Sequence, residues 1–355
     1  MPALSVAMLQ LISHIVRTSS KRDRTEINEA LIDALADLFH PISVTIYRCY
    51  ASSRGTMMFA CAGLDSRSRY VHNAYLPDRR YCRPIDDDPL LARCRRERSV
   101  SLEELPGGAN RLAFPVVQLN QLVYVIEIVV SEDFPADLRV LLMAVTEYFG
   151  NHIGLLDYGE TDTLTQLANR KTFDKHLFEL LGKAQDDAAD DRIKLKARRR
   201  SGGKTTTHWL AVCDIDRFKS INDNHGHLIG DEVLVTLSQI LRRSFRFDDQ
   251  LFRFGGEEFV VVLQPAKADD ACKALNRFRQ NLERHVFTQV GQVTVSIGFS
   301  RLQGADTPTD VIDRADEALY YCKRNGRNQV AFYEELVESG ALAAKSLQKG
   351  EIELF

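Results

Sequence analysis

The sequence predicts a mixed α/β (α+β) protein of two domains joined by one long helix. Three observations carry this. The chain has 355 residues, 45% hydrophobic and 27% charged, enough for about two cores. Its apolar periodicity switches repeatedly between the spacing of helices and that of strands. An unbroken helical pattern from Pro135 to about Tyr158 separates an N-terminal group of strands from a C-terminal alternation of strands and helices.

Two helical stretches open the chain, roughly 3–17 and 25–39. The second carries Ile27, Leu31, Ala34, Leu35 and Leu38 on one face and is closed by Pro41. β-rich segments follow at Ser43–Tyr50, Thr56–Cys61, Leu112–Gln118 and Leu122–Val130, the last two joined like a hairpin at Asn120–Gln121. This order predicts a sheet with flanking helices over 1–134. Residues 64–110, rich in Arg, Asp, Pro and Gly, read as loops and short helices around a pocket whose ligand the composition does not identify.

In the helix 135–160, Leu138, Leu142, Val145, Phe149, His152 and Leu156 alternate steps of four and three, the pattern of a coiled-coil seam. The same stripe could instead pack on the first domain's own sheet, and the two uses are compatible at opposite ends of the helix.

The second domain is expected over 161–335. Lys183–Lys204 carries an acidic cluster (Asp186, Asp187, Asp190, Asp191), then a basic one (Arg198, Arg199, Arg200), and reads as a solvated loop or frayed helix end. Strands are expected at 208–214, 250–263 (a pair around two glycines), 292–299 and near 328–333. Helices are expected at 228–244, 268–285 and 309–324, with a polar tail over 336–355.

A formal charge of −3, from 46 Lys+Arg against 49 Asp+Glu, gives no global reason to bind DNA, RNA or an acidic membrane. The seven cysteines are scattered, with no C-x-x-C pair, and read as reduced thiols of a cytoplasmic protein. The apolar start is broken by Gln10, Ser13 and His14, and its charges follow rather than precede it, unlike a signal peptide. No run of 18 apolar residues suggests a membrane span.

The chemistry is concentrated in the second domain. The apolar strand Trp209–Cys213 runs into Asp214-Ile215-Asp216, which places carboxylates at a strand's carboxyl edge, where α/β folds bind ligands. A D-x-D there also reads as a loop cap. In Arg253-Phe254-Gly255-Gly256-Glu257-Glu258-Phe259, two apolar strands flank a glycine pair and two acids, and a plain hairpin accounts for the glycines. Strand alternation sends Glu257 and Glu258 to opposite faces, so that one can hold a metal while the other does something else. The bare backbone at Gly255 and Gly256 would admit a phosphate.

Asp162-Thr163-Leu164-Thr165, Asn169-Arg170, Asp214 to Lys219, Ile221-Asn222-Asp223, Gly226-His227, Gly230-Asp231, Gly255 to Phe259 and Ala318-Leu319-Tyr320 with Lys323 and Gly326-Arg327-Asn328 follow one another in order. In these motifs, over about 162–333, the chain resembles the GGDEF family of diguanylate cyclases. The resemblance implies a palm-like fold related to nucleotidyl cyclases and polymerases, and synthesis of cyclic di-GMP from two GTP with release of two pyrophosphates. It implies Mg²⁺, two ions per GTP, with Mn²⁺ as a substitute, held by Asp214, the main-chain carbonyl of Ile215 and Glu257. Glu257 is the family's usual general base and Glu258 a rival.

The resemblance further implies that Asn222 and Asp231 read guanine, with His227, Phe218, Gly255 and Gly256 also at the substrate. It makes Lys219 the transition-state stabiliser and Lys323 and Arg327 phosphate ligands, although the last two could equally complement a helix C-terminus. Arg246 and Asp249 form the R-x-x-D of a product-inhibition site, with Arg277 a second contact. A homodimer is implied, because one GTP per half-site cannot condense with itself. Glu replaces Asp at the third signature position, Gln166 stands where the family often has Gly, and Arg217 takes a commonly aromatic or His position. The first domain is expected to be a GAF-like sensor of an unknown small-molecule or protein signal. The competing expectations are a non-catalytic GTP or cyclic di-GMP receptor and a cyclase of another purine nucleotide. Retained carboxylates and signature glycines argue against the first, and Asp231 against the second.

Overall fold

Alternation along two strands decides how the first unit is layered. The computed structural model describes residues 2–52, 55–72, 81–118, 120–131, 135–194 and 207–343, and the chain divides into two units between Glu160 and Thr161. The first contains α1 (Pro2–Ser19), α2 (Arg24–Phe39), β1 (Ser43–Ser52), β2 (Gly55–Leu64), β3 (Arg69–Val71), β4 (Cys82–Pro84), α3 (Pro89–Glu97), β5 (Ser101–Glu104), β6 (Asn110–Gln118), β7 (Gln121–Val130) and α4 (Ala136–Glu160). Its antiparallel sheet runs β3-β2-β1-β7-β6-β5, with β4 beside β2. Val44 and Ile46 of β1 and Tyr124, Ile126 and Ile128 of β7 share one core with α2 and α4. Tyr47, Cys49 and Val125 point to the opposite face, where Leu90, Leu91 and Cys94 of α3 cover them.

Local chemistry sets the helix ends. Asp23 accepts hydrogen bonds from the Thr25 and Glu26 amides to start α2, and His40 closes it in the left-handed region just before Pro41. The region 64–110, expected to be loops and short helices, also supplies the strands β3, β4 and β5.

The seam expected on α4 is spent internally. Leu142, Val145 and Phe149 are buried in the core beneath the helix, Ile153 continues the row, and Leu138 and Leu156 pack at its margins. His152 is buried beside the Lys21 carbonyl. Packing on the first domain's own sheet is thus the use seen within this unit. Each of these side chains gains roughly 1.5–3 kcal/mol by burial against its own sheet, which a second helix would have to replace.

The second unit contains β8 (Ala168–Asn169), α5 (Arg170–Lys194), β9 (Thr207–Ile215), α6 (Phe218–His225), α7 (His227–Ser244), β10 (Gln250–Arg253), β11 (Glu258–Ala266), α8 (Ala268–Arg284), β12 (Val286–Phe287), β13 (Gly291–Gln292), β14 (Val295–Arg301), α9 (Pro308–Arg324), β15 (Val330–Phe332) and α10 (Tyr333–Glu338). The sheet order is β15-β14-β9-β11-β10-β8. β9 is central and antiparallel to both neighbours. Trp209, Ala211, Cys213 and Ile215 of β9 face a core built with α7 and α8. Across the sheet, α9 lies against β14 and β9. It starts at a capping box formed by Thr307 and Asp310, with Pro308 in its first turn.

Three segments of this unit add to the expected pattern. The charged stretch is helical as far as Lys194, because α5 continues through it, while 195–204 lies outside the described residues. Phe218–His225 forms a helix of its own. The polar tail begins inside α10, whose Leu336 and Val337 pack on a small cluster with Ala318 and Cys322.

Gly298 lets α9 close on the sheet. A Cβ there would lie 2.1 Å from both the Ala315 carbonyl oxygen and the Leu319 nitrogen, backbone atoms that cannot step aside. Gly298→Ala should therefore destabilise the second unit by about 3 kcal/mol. Urea unfolding should show a lower midpoint, and an unchanged one would mean that α9 is not held in this position.

Candidate active site

The central strand β9 ends at Asp214 and Ile215, between β11 and β14. Asp214 stands in register with Glu258 on one side and Ser296 on the other. The Glu257 carbonyl accepts a hydrogen bond from the Ile215 amide at 3.4 Å, so the signature turn closes directly onto the end of β9. Two segments far apart in sequence thereby bring Asp214, Ile215 and Glu257 together. Lys323, in the last turn of α9, reaches the same point, with its ammonium nitrogen 2.7 Å from Asp214 Oδ2.

Electrostatics follow from that crowding. Asp214 is almost fully buried, and burial raises its carboxyl pKa above the ordinary value. The hydrogen bond and charge of Lys323 pull the other way without cancelling this, and Asp216 and Asp316 add like-charge repulsion. Glu257 is raised too, first by burial, then by the charge of Asp214, against the opposing charge of Lys323. Both carboxyls therefore hold protons more tightly than usual and would gain from a nearby cation.

Glu258, the first residue of β11, goes elsewhere. Its side chain folds back over Gly255, where an added Cβ would sit 2.7 Å from Glu258 Oε2, while Gly256 faces open space. Among the described residues, no group of three or more His, Cys, Asp or Glu side chains is arranged to hold a metal ion. The available donors are two carboxylates and the Ile215 carbonyl. That set suits Mg²⁺, which takes oxygen ligands and keeps several waters.

Asn222 and Asp231 meet where α6 packs on α7. The Asn222 amide lies across Gly230, so closely that a Cβ there would fall 2.0 Å from its oxygen and 3.3 Å from Phe218 Cζ. Asp231 is the next residue and is exposed, as are His227 in the first turn of α7 and Lys219 on α6. Phe218 is buried in the core, so its part is to seat α6. Arg327 is exposed just beyond α9.

The residues expected at an inhibition site share one corner. The Asp249 carboxylate accepts from the Arg246 amide at 2.9 Å and the Gln264 amide at 3.1 Å, and burial raises its pKa despite those bonds. Arg277 donates through Nε to the Ser244 carbonyl at 3.1 Å, two residues before Arg246, whose side chain is exposed.

One link escapes a residue-by-residue reading. Arg253 donates to both oxygens of Asp162, at 3.0 and 3.1 Å, and to the Gly256 carbonyl at 2.9 Å. Asp162 also accepts from the Thr165 amide and hydroxyl. Although burial works against it, these bonds hold its carboxyl below the ordinary range. The D-x-x-T spacing was the available signal. Gln166, next in sequence, has φ 58. That explains why glycine suits the position.

The family model described as "Diguanylate cyclase, GGDEF domain" matches residues 160–329. Diguanylate cyclase DgcZ of Escherichia coli (strain K12) is 41% identical over 130 residues, which cover 36% of this chain and 44% of the relative. Diguanylate cyclase DgcP of Pseudomonas aeruginosa is 37% identical over 173 residues, covering 48% of this chain and 23% of the relative. The chain thus spans less than half the length of either relative. A crystal structure of the coiled coil and GGDEF domain of DgcB from Caulobacter crescentus in complex with c-di-GMP is 30% identical. The match covers 56% of this chain and 97% of that one, with a TM-score of 0.45. Residues 160–329 are a GGDEF domain of the kind that diguanylate cyclases carry.

Proposed function

We propose that the chain condenses two molecules of GTP into cyclic di-GMP and releases two pyrophosphates. The observation that carries this is the convergence of Asp214, Ile215 and Glu257 at the end of β9, with Lys323 beside them. Two Mg²⁺ ions, or Mn²⁺ in their place, would supply charge neutralisation at the triphosphate and ease loss of the 3′-hydroxyl proton. Asp214, Glu257 and the Ile215 carbonyl are the residues that would hold them.

Asp231 would accept from the guanine N1–H and amine, while Asn222 both donates and accepts at the base edge, with His227 alongside. Lys219, Lys323 and Arg327 would neutralise phosphate oxygens as charge shifts toward the leaving pyrophosphate. Of the two signature acids, Glu257 is the one placed at the end of β9 with Asp214 and Ile215, where it could take the 3′-hydroxyl proton. Glu258 lies back on Gly255.

Each site takes one GTP, so two copies must face each other across a two-fold axis. The first unit fits a GAF-like sensor over 1–134 that biases how often the two sites meet, by shifting a pre-existing equilibrium. Arg246, Asp249 and Arg277 form the region where cyclic di-GMP would bind and restrain turnover. Among the described residues, no helix is long and apolar enough to cross a membrane, and a cytoplasmic setting is the reading we favour.

Purified protein given GTP and Mg²⁺ should yield cyclic di-GMP and pyrophosphate on chromatography. Asp214→Asn and Glu257→Ala should each lower the rate at least 100-fold, and a parent that binds GTP without forming product would be a receptor instead. Arg246→Ala should relieve inhibition by added cyclic di-GMP, and unchanged inhibition would remove that site. The raised carboxyls also predict a pH effect. A carboxyl whose folded pKa lies above its unfolded value costs stability as pH rises through the interval between them, and goes on costing it above. Glu257→Gln should therefore raise Tm without Mg²⁺ at pH 8 and leave it nearly unchanged at pH 3.

A further inference from the structure

The turn after α9 holds the longest run of left-handed backbone among the described residues, with Gly326 at φ 108, Arg327 at 62 and Asn328 at 46. Glycine adopts this region at no steric cost and asparagine tolerates it, whereas arginine enters it at a cost. A conformation of this kind persists only where surrounding contacts over-determine it, and it tends to occur where a site needs it.

The contacts come from three directions. Asp216, two residues past Asp214, accepts from the Asn328 amide through Oδ2 at 3.0 Å. The same oxygen accepts from Thr294 Oγ1 at 2.7 Å, and Oδ1 accepts from Ser296 Oγ at 2.7 Å. The Asn328 side chain is gripped by α8: Nδ2 donates to Glu283 Oε1 at 2.7 Å, and Oδ1 accepts from Arg279 Nη1 at 2.8 Å. The Arg327 amide donates back to the Cys322 carbonyl at 2.9 Å. Asp216 is 8% exposed, and its oxygens are taken up by these three donors. It is thereby set apart from its neighbour Asp214, which meets an ammonium.

We propose that Asp216 and Asn328 are positioning residues that preset Arg327, beside Lys323, for the polyphosphate of the substrate. The inference rests on the cyclase reading above. An arginine whose backbone is fixed before the ligand arrives loses less conformational freedom on binding than one on a mobile turn. The second acid of the D-x-D thus acts at a distance, through the backbone of residue 328.

The test compares two probes in the full-length chain with Mg²⁺: the α,β-methylene analogue of GTP, which cannot release pyrophosphate, and GMP. The parent should bind the triphosphate at least tenfold more tightly than GMP. Asp216→Ala and Arg327→Ala should each erase about tenfold of that preference and leave GMP affinity unchanged, and the double variant should lose no more than either single one. Asp216→Asn, which keeps an acceptor, should retain most of the preference. Thr294→Val and Asn328→Ala, each removing one support, should show a smaller loss in the same direction if Asp216→Ala does not fold.

A parent without the preference, additive losses in the double variant, or an Asp216→Ala protein that melts lower but keeps its full preference would overturn the proposal. Product formation by the parent is measured separately. A chain that prefers the triphosphate through Asp216 but makes no cyclic di-GMP would sink the cyclase reading and leave the positioning role standing.

Discussion

Burying like charge at the end of β9 is the constraint to which the rest of the second unit answers. Asp214 and Glu257 are drawn together out of full contact with water; burial makes both harder to ionise, and the charge of Asp214 adds to the effect on Glu257. An isolated helix or hairpin could not hold such a pair. Here the apolar strands on both sides of β9 and the helices on both faces of the sheet fix the two acids. Gly298 lets α9 approach closely enough for Lys323 to supply one compensating charge. Stability is spent at this point and recovered in the core, as is common where a site must be ready before its ligand comes.

The division between the two signature acids follows from the same geometry. Glu257 closes the turn, where its carbonyl meets the Ile215 amide, whereas Glu258 is the first residue of β11 and its side chain folds back onto Gly255. Adjacent identical residues thereby acquire different neighbours.

Much of this was legible in the sequence. The apolar run Trp209–Cys213 ending in carboxylates and the glycine pair before Glu257 pointed to the corner where Asp214, Ile215 and Glu257 converge. The stripe Ile27, Leu31, Leu35 and Leu38 located α2 and the face it buries. What was not legible depended on partners distant in the chain. The heptad-like row on α4 has the same spacing whether it meets a second helix or its own sheet, and the contact of Leu142, Val145 and Phe149 with that sheet could not be read from it. The helix Phe218–His225 is short and polar, and its existence owes more to Phe218 and Ile221 reaching the core than to propensity. Asp216 looked like half of a D-x-D pair because its hydrogen bonds run to residues about 80 and 112 positions away, and no spacing rule reaches that far.

The bridge from Asp162 through Arg253 to the Gly256 carbonyl has a mechanical meaning. A single guanidinium joins the domain's doorstep to the rim of its signature turn. A tug on the backbone at Thr161 would reach the residue before Glu257 across two rigid hydrogen-bonded contacts, without having to travel through the hydrophobic interior.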